Sequence, residues 1–126
     1  MEELTAKEEE VMQVIWNLER ALVRDIMGQL PNSKQPYTTV ASIVRILEKK
    51  GFVDHRSFGK SHQYYHLISR EQYRNERLSS LMKNYFNNSM KQALSYFGKS
   101  DNMNLKEADD IIQMMEELKR KAGDNE

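Results

Sequence analysis

The sequence predicts a mainly α-helical fold with one small β-hairpin, and three observations carry that prediction. Apolar residues recur at helical spacing in six segments. Two short β-rich segments, joined by a loop that contains a glycine, follow the third of these segments directly. The 126 residues, with 39% hydrophobic and 30% charged side chains, suit one soluble domain or a small domain with an appendage. We therefore expect one domain over residues 1–70 and a helical region over residues 71–126.

Helix 1 is expected from about Ala6 to Leu18. Thr5 and Glu8 have the spacing of a capping box at its start. The apolar stripe that follows is Val11, Val14, Ile15 and Leu18. The same spacing returns, over a shorter span that predicts helix 2, in Val23, Ile26, Met27 and Leu30. Helix 2 is expected to end at Pro31.

Helix 3 is expected to begin near Pro36–Thr39 and to end at Gly51. Either Pro36 takes the first helical position or Thr38 is the N-cap. The inward stripe is Val40, Ile43, Val44 and Leu47. At 100° per residue, the opposite face carries hydroxyl and basic side chains, namely Thr38, Ser42, Arg45 and Lys49. Helix 3 therefore buries one side and presents hydrogen-bond donors on the other.

A hairpin with a basic tip comes next. Its predicted strands are Phe52–Arg56 and Gln63–Ile68, with a loop over residues 57–62. Only helical patterns follow the hairpin. Helix 4 is capped by Ser69 and interrupted at Asn87–Asn88. Two more helices are expected, one closed by Gly98 and one that starts at Asn104 and stops before Gly123.

The formal net charge of zero conceals a strong pattern along the chain. Residues 31–70 carry a net charge of +5 and residues 71–100 carry +3, whereas the two ends carry −4 each. A basic block of this kind is a typical footprint of a nucleic-acid-binding surface, even on a neutral protein.

Three helices followed by a two-stranded hairpin is the order of a winged helix-turn-helix domain, whose recognition helix enters the major groove of DNA. We expect sequence-specific binding of double-stranded DNA, because helix 3 and the hairpin carry side chains suited to bases and phosphates. The predicted contact residues are Lys34, Thr38, Thr39, Ser42, Arg45, Lys49, Arg56, Lys60 and His62.

The helical tail has little core of its own, so we expect its apolar side chains to pack against a second copy of the chain. Such a homodimer reads a palindromic operator whose half-sites lie about one turn apart. The predicted dimerisation residues are Leu78, Leu81, Met82, Tyr85, Phe86, Met90, Leu94, Phe97, Ile111, Ile112, Met115 and Leu118.

A set of motifs spread over about residues 4–122 carries a family resemblance. The motifs are Leu4-Thr5 with Glu8, Val11-Met12, Ile15-Trp16, Tyr37–Val40, Arg45–Val53 and Gln63–Leu67. Together they resemble the penicillinase-repressor (BlaI/MecI/CopY) family. The resemblance implies a homodimeric repressor that is released when a membrane sensor-protease signals and the tail is cut. In the β-lactam branch the cut falls at an Asn-Phe bond, and the corresponding position here is Tyr96-Phe97.

Composition and spacing disfavour other classes. We expect a cytoplasmic protein, because no apolar run approaches the roughly 18 residues of a membrane span and the acidic start is unlike a signal peptide. The chain has no cysteine, and no carboxylate cluster is expected beside His55, His62 and His66, so we predict no metal site and no cofactor. No nucleophile elbow or phosphate-binding glycine motif occurs, which argues against an enzyme.

Two alternatives to the repressor stay open. The winged domain could serve as a protein-docking module for an acidic partner. The chain could also be a winged-helix regulator gated by a small ligand, in a pocket lined by Tyr64, Tyr65, Met82 and Tyr85.

Overall fold

A computed structural model, which describes residues 1–32, 34–100 and 104–124, shows six helices and a three-stranded antiparallel sheet over those residues. The helices are α1 (Ala6–Leu18), α2 (Val23–Gln29), α3 (Tyr37–Lys49), α4 (Arg70–Phe86), α5 (Met90–Lys99) and α6 (Leu105–Asp124). The strands are β1 (Arg20–Ala21), β2 (Val53–Phe58) and β3 (Ser61–His66). The predicted mainly helical fold class is confirmed. None of the helices in the described ranges is both long and apolar enough to cross a membrane.

The capping box at the start of α1 forms as predicted. The Thr5 backbone N–H donates to the Glu8 carboxylate at 3.1 Å, and the Glu8 N–H donates to the Thr5 hydroxyl at 3.2 Å. Lys50, at the end of α3, donates to the same Glu8 carboxylate at 2.6 Å. Burial by itself would raise the pKa of Glu8, but the bonds from Lys50 and Thr5 outweigh it and lower the pKa. Glu8 therefore joins the two helices as a carboxylate.

The core of the first compact unit, Met1–Leu78, is built from the apolar stripes of α1, α2 and α3. Phe52 lies directly after α3, is fully buried, and packs edge-on against Tyr73 of α4 with ring centroids 5.7 Å apart. Trp16 packs on the same Tyr73 ring at 5.8 Å. The first unit extends to Leu78 rather than to residue 70, because the start of α4 contributes to this core.

The start of α3 differs from expectation. Pro36 is the N-cap, since the N–H groups of Thr39 and Val40 donate to its carbonyl oxygen at 3.1 and 3.3 Å. Neither predicted arrangement, Pro36 inside the helix or Thr38 as the cap, is therefore correct. The other end agrees with prediction, because Gly51 follows the helix with a φ of +84°.

The two strands extend further toward the tip of the hairpin than predicted, stop earlier at its base, and join a third strand. The strands run through the polar residues expected in the loop, which leaves Gly59 and Lys60 as a two-residue turn. Gly59 has a φ of +60°, which a tight hairpin turn requires and glycine adopts without strain. The sheet order is β1-β3-β2. Strand β1 was not predicted, because two residues give no periodicity to detect.

The second compact unit, Ser79–Glu126, contains the end of α4 together with α5 and α6. Asn87 and Asn88, with φ values of 51° and 59°, interrupt the helices where predicted. The expected stops at Gly98 and Gly123 are wrong, because both glycines lie within helices. In the described part of this unit, Ala93 is the only fully buried apolar side chain.

Candidate nucleic-acid interface

The outer face of α3 presents a row of polar and basic side chains. Thr38, Ser42, Arg45 and Lys49 are all exposed, as the helical wheel predicts. The opposite face is anchored by Val40, Val44 and Leu47, which are fully buried. Thr39 is half-buried at the side of the row, and Lys34 is exposed in the preceding loop. The packing of one face thus fixes the direction in which the donors of the other face point.

A cleft of about 320 Å³ lies beside this row, between the start of α2, α3 and the turn of the hairpin. Arg24, Arg45 and Lys60 bring three cationic side chains to it, and Tyr37 and His62 complete its rim. None of the described residues that line the cleft is acidic. The arrangement favours an anionic ligand, because nothing in this lining opposes its charge.

Sequence reasoning missed two residues of this cleft, Arg24 and Tyr37. Arg24 lies on an exposed face of α2, and no local sequence pattern indicates that this face approaches α3. Tyr37 belongs to one of the motifs that carry the family resemblance, but its position in the sequence does not indicate a role in binding. Their contribution depends on the packing of α2 against α3, which is a tertiary feature.

The hairpin divides the predicted contact residues between its two faces. In the antiparallel register of β2 and β3, Arg56 pairs with Gln63 and Ser57 pairs with His62. Because neighbouring residues of a strand point to opposite faces, Arg56 and His62 lie on opposite sides of the sheet. The Arg56 Nε donates to the Gln63 side-chain oxygen at 2.6 Å. The structure brings Lys60 and His62 to the cleft beside α3 and leaves Arg56 on the other face.

The alternation of side chains along β3 argues against the pocket expected for the small-ligand alternative. Tyr64 is buried on the face that packs toward the helices, whereas Tyr65 lines a separate cavity with Arg20 and Arg56. The two tyrosines are neighbours on β3 and cannot line one pocket from one strand face. Burial, with a further contribution from the charge of Glu48, raises the pKa of Tyr64. Tyr64 is accordingly a neutral core side chain.

The expectation that no carboxylate cluster lies beside the histidines is wrong, because Glu48 and Asp54 lie close to His55. Glu48 Oε2 of α3 is 2.7 Å from His55 Nδ1 of β2. The His62 ring stacks on the His55 ring at a centroid distance of 4.1 Å and an interplanar angle of 10°. The sequence prediction missed Glu48 because this residue belongs to α3 and not to the hairpin that carries the histidines.

Most of the apolar side chains predicted for dimerisation remain accessible in the single chain. The exposed ones are Leu78, Leu81, Tyr85, Met90, Phe97, Ile112, Met115 and Leu118. Those that are half-buried are Met82, Phe86, Leu94 and Ile111. Within the described part of α6, no side chain is fully buried.

Residues of α4 and α5 form an aromatic groove in the second unit. The groove has a volume of about 530 Å³ and is lined by Leu81, Tyr85, Phe86, Tyr96 and Phe97. The predicted cleavage position, Tyr96-Phe97, lies inside α5, and both of its side chains are exposed. A protease that cuts there must first unwind part of α5, because a peptide bond in a helix is held by its hydrogen bonds.

Comparisons with known proteins agree with this architecture. The family model for the penicillinase repressor matches residues 4–117. The penicillinase repressor of Bacillus licheniformis is 23% identical over 121 residues, which cover 94% of each chain. The methicillin resistance regulatory protein MecI of Staphylococcus aureus is 33% identical over 67 residues, which cover 52% of this chain and 54% of that protein.

A solved structure agrees as well. The solution structure of the DNA-binding domain of the repressor BlaI matches with a TM-score of 0.50 at 25% identity, over 56% of this chain and 88% of that one. This likeness confirms the predicted winged helix-turn-helix fold.

Proposed function

The chain belongs to the penicillinase repressor family, as the sequence motifs predicted, and from that premise we propose that it is a DNA-binding transcriptional repressor, active as a homodimer on a palindromic operator. The observation that carries this proposal is the exposed donor row of α3 beside a cleft with three cationic side chains and no acidic lining residue among those described. The family is one of repressors, which confirms the prediction that the chain is not an enzyme.

The proposed recognition proceeds through α3. Its outer face enters the major groove, where the hydroxyls of Thr38 and Ser42 can hydrogen-bond to base edges or phosphates. Arg45 lies on the same face and at the rim of the cleft, so it reaches either a guanine edge or a phosphate. Arg24 and Lys60 flank it and supply phosphate contacts, which position the helix and make binding dependent on salt.

The proposed homodimer forms through the second unit. An amphipathic α6 of 20 residues with no buried side chain in its described part needs a partner surface, because exposed apolar stripes of this size mark association sites. Two copies then hold two α3 helices on one duplex, and the linked contacts bind more tightly than either alone. The isologous contact of a two-fold dimer also matches a palindromic site.

The proposed release mechanism is proteolysis in the tail. A cut at Tyr96-Phe97 separates α6 from the winged unit, which removes its apolar stripe and weakens the dimer. A membrane sensor-protease is the proposed partner for this step, and the site of action is the cytoplasm. The family is cut at Asn-Phe in its β-lactam branch, whereas this chain has Tyr96, so we leave the inducing signal unassigned.

The direct test is a titration of the full chain with random-sequence duplex DNA by fluorescence anisotropy at several salt concentrations. We expect the logarithm of the affinity to fall steeply with the logarithm of the salt concentration. Selection from a duplex library should then enrich a palindrome. The absence of binding at low salt would reject the repressor and favour the protein-docking alternative.

A further inference from the structure

A cluster of nitrogen and oxygen ligands lies where the end of α3 meets the base of the hairpin. It combines Glu48 of α3 with Asp54 and His55 of β2. One ligand atom from each of these side chains lies within 4.8 Å of the others. The side chains of Glu48 and His55 are about one-third exposed, so the cluster is partly shielded but open to an ion.

The charge pattern singles out the same residues. Residues 31–70 contain seven lysine and arginine residues and two acidic residues, and the two acidic residues are Glu48 and Asp54. Both carboxylates thus converge on one imidazole in an otherwise basic block. The backbone N–H of His55 donates to Asp54 Oδ1 at 2.7 Å, which holds this carboxylate against its own strand.

A second imidazole stands beside the cluster. His62 of β3 stacks on His55 with ring centroids 4.1 Å apart, and its side chain is exposed. His55 and His62 occupy the same face of the sheet, two positions apart in the β2–β3 register. The three elements therefore bring two imidazoles and two carboxylates together.

We propose that Glu48, Asp54, His55 and His62 form a binding site for a zinc-class divalent cation, which ties the hairpin to the end of α3. Zinc binds imidazole nitrogen and carboxylate oxygen at about 2.0–2.2 Å, so its tetrahedral ligand atoms stand about 3.4 Å apart. The distance between His55 Nδ1 and Glu48 Oε2 is 2.7 Å, and the three-residue set spans at most 4.8 Å. Shifts of about 1 Å would bring these three side chains to that spacing, and a turn of the His62 ring would supply a fourth ligand.

The chemistry of the ligands selects the class of ion. A mixed set of imidazole and carboxylate suits zinc and its first-row neighbours, whereas magnesium and calcium prefer oxygen ligands alone. Imidazole and carboxylate groups coordinate a metal ion in their unprotonated forms. His62 also lies at the rim of the cleft proposed for DNA, so the zinc site adjoins that surface.

The test is isothermal titration of the full chain with zinc chloride in a buffer free of chelators. We expect one ion per chain for the wild type and no comparable binding of magnesium chloride. Removal of even an outer partner of a metal ligand costs about 10–100-fold in affinity, so Glu48→Gln and His55→Ala should each weaken zinc binding by at least about tenfold. His62→Ala should also weaken it.

Matched controls separate this site from adsorption elsewhere. His66→Gln changes the third histidine, whose ring lies outside the cluster, and Asp110→Asn changes an exposed carboxylate of α6. Both should bind zinc like the wild type, and circular dichroism should show that every variant is folded. In the wild type, NMR signals of the His55 and His62 rings should shift on zinc addition while those of His66 do not. Failure of the wild type to bind zinc, or unchanged binding by the folded Glu48→Gln and His55→Ala variants, would overturn the proposal.

Discussion

Replacement of Leu118 by aspartate in α6 should dissociate the proposed homodimer. Leu118 is 56% exposed in the single chain, and full burial of a leucine contributes about 1.5–3 kcal/mol. Burial of the remaining exposed part in a dimer is therefore worth about 1–2 kcal/mol per copy, or about 2–3 kcal/mol for both copies. At 1.4 kcal/mol per factor of ten, Leu118→Asp should weaken association by about 30- to 100-fold, before the cost of burying two carboxylates is added.

The assay for this prediction is sedimentation velocity over a wide range of protein concentrations. Gln113→Asp is the matched control, because it adds the same charge to α6 on the face opposite the apolar stripe, and it should sediment like the wild type. Thermal unfolding of the first unit should be unchanged in both variants. A Leu118→Asp protein that stays dimeric with the wild-type affinity would refute the assignment of α6 to the dimer interface.

Three further predictions concern the first unit. Arg45→Ala should lower operator affinity by about 1–3 kcal/mol in anisotropy titrations if it reads a base, whereas Arg74→Ala on α4 should change it little. Phe52→Ala should cost about 3–5 kcal/mol in urea unfolding, because the ring is fully buried; a smaller loss than about 1 kcal/mol would contradict its place in the core. The pKa of Glu8 is lowered in the folded state, so its contribution to stability is present above the ordinary pKa of 4.5 and is lost as pH falls through the lowered value. Glu8→Gln should therefore reduce stability at neutral pH and flatten the loss of stability on acidification, measured as melting temperature against pH.

Local signals explain why parts of the fold could be predicted from the sequence. The bounds of α1 agree with the prediction because the capping box marks the start of the helix and the apolar stripe runs through it. The break at Asn87–Asn88 was likewise readable, since asparagine adopts positive φ values more easily than most residues. The exposed face of α3 followed from helical geometry and from the stripe that the helix buries.

Features that depend on contacts between residues far apart in the sequence could not be predicted from local patterns. Strand β1 exists because Arg20 and Ala21 pair with Tyr65 and Tyr64, which lie far along the chain. The cleft needs Arg24 to approach α3 across a helix packing, and no periodicity encodes that approach. The contact of Glu48 with His55 likewise depends on how the hairpin folds back on α3.

We expect two copies of this chain to read DNA together through their α3 helices. The most direct measurement is the stoichiometry and footprint of the full chain on a duplex selected from a random library. We predict two chains per duplex and two protected major-groove segments about 10 base pairs apart, centre to centre. Binding of one chain to a single half-site as tightly as to the full duplex, or no protected segment at low salt, would contradict DNA reading by two chains.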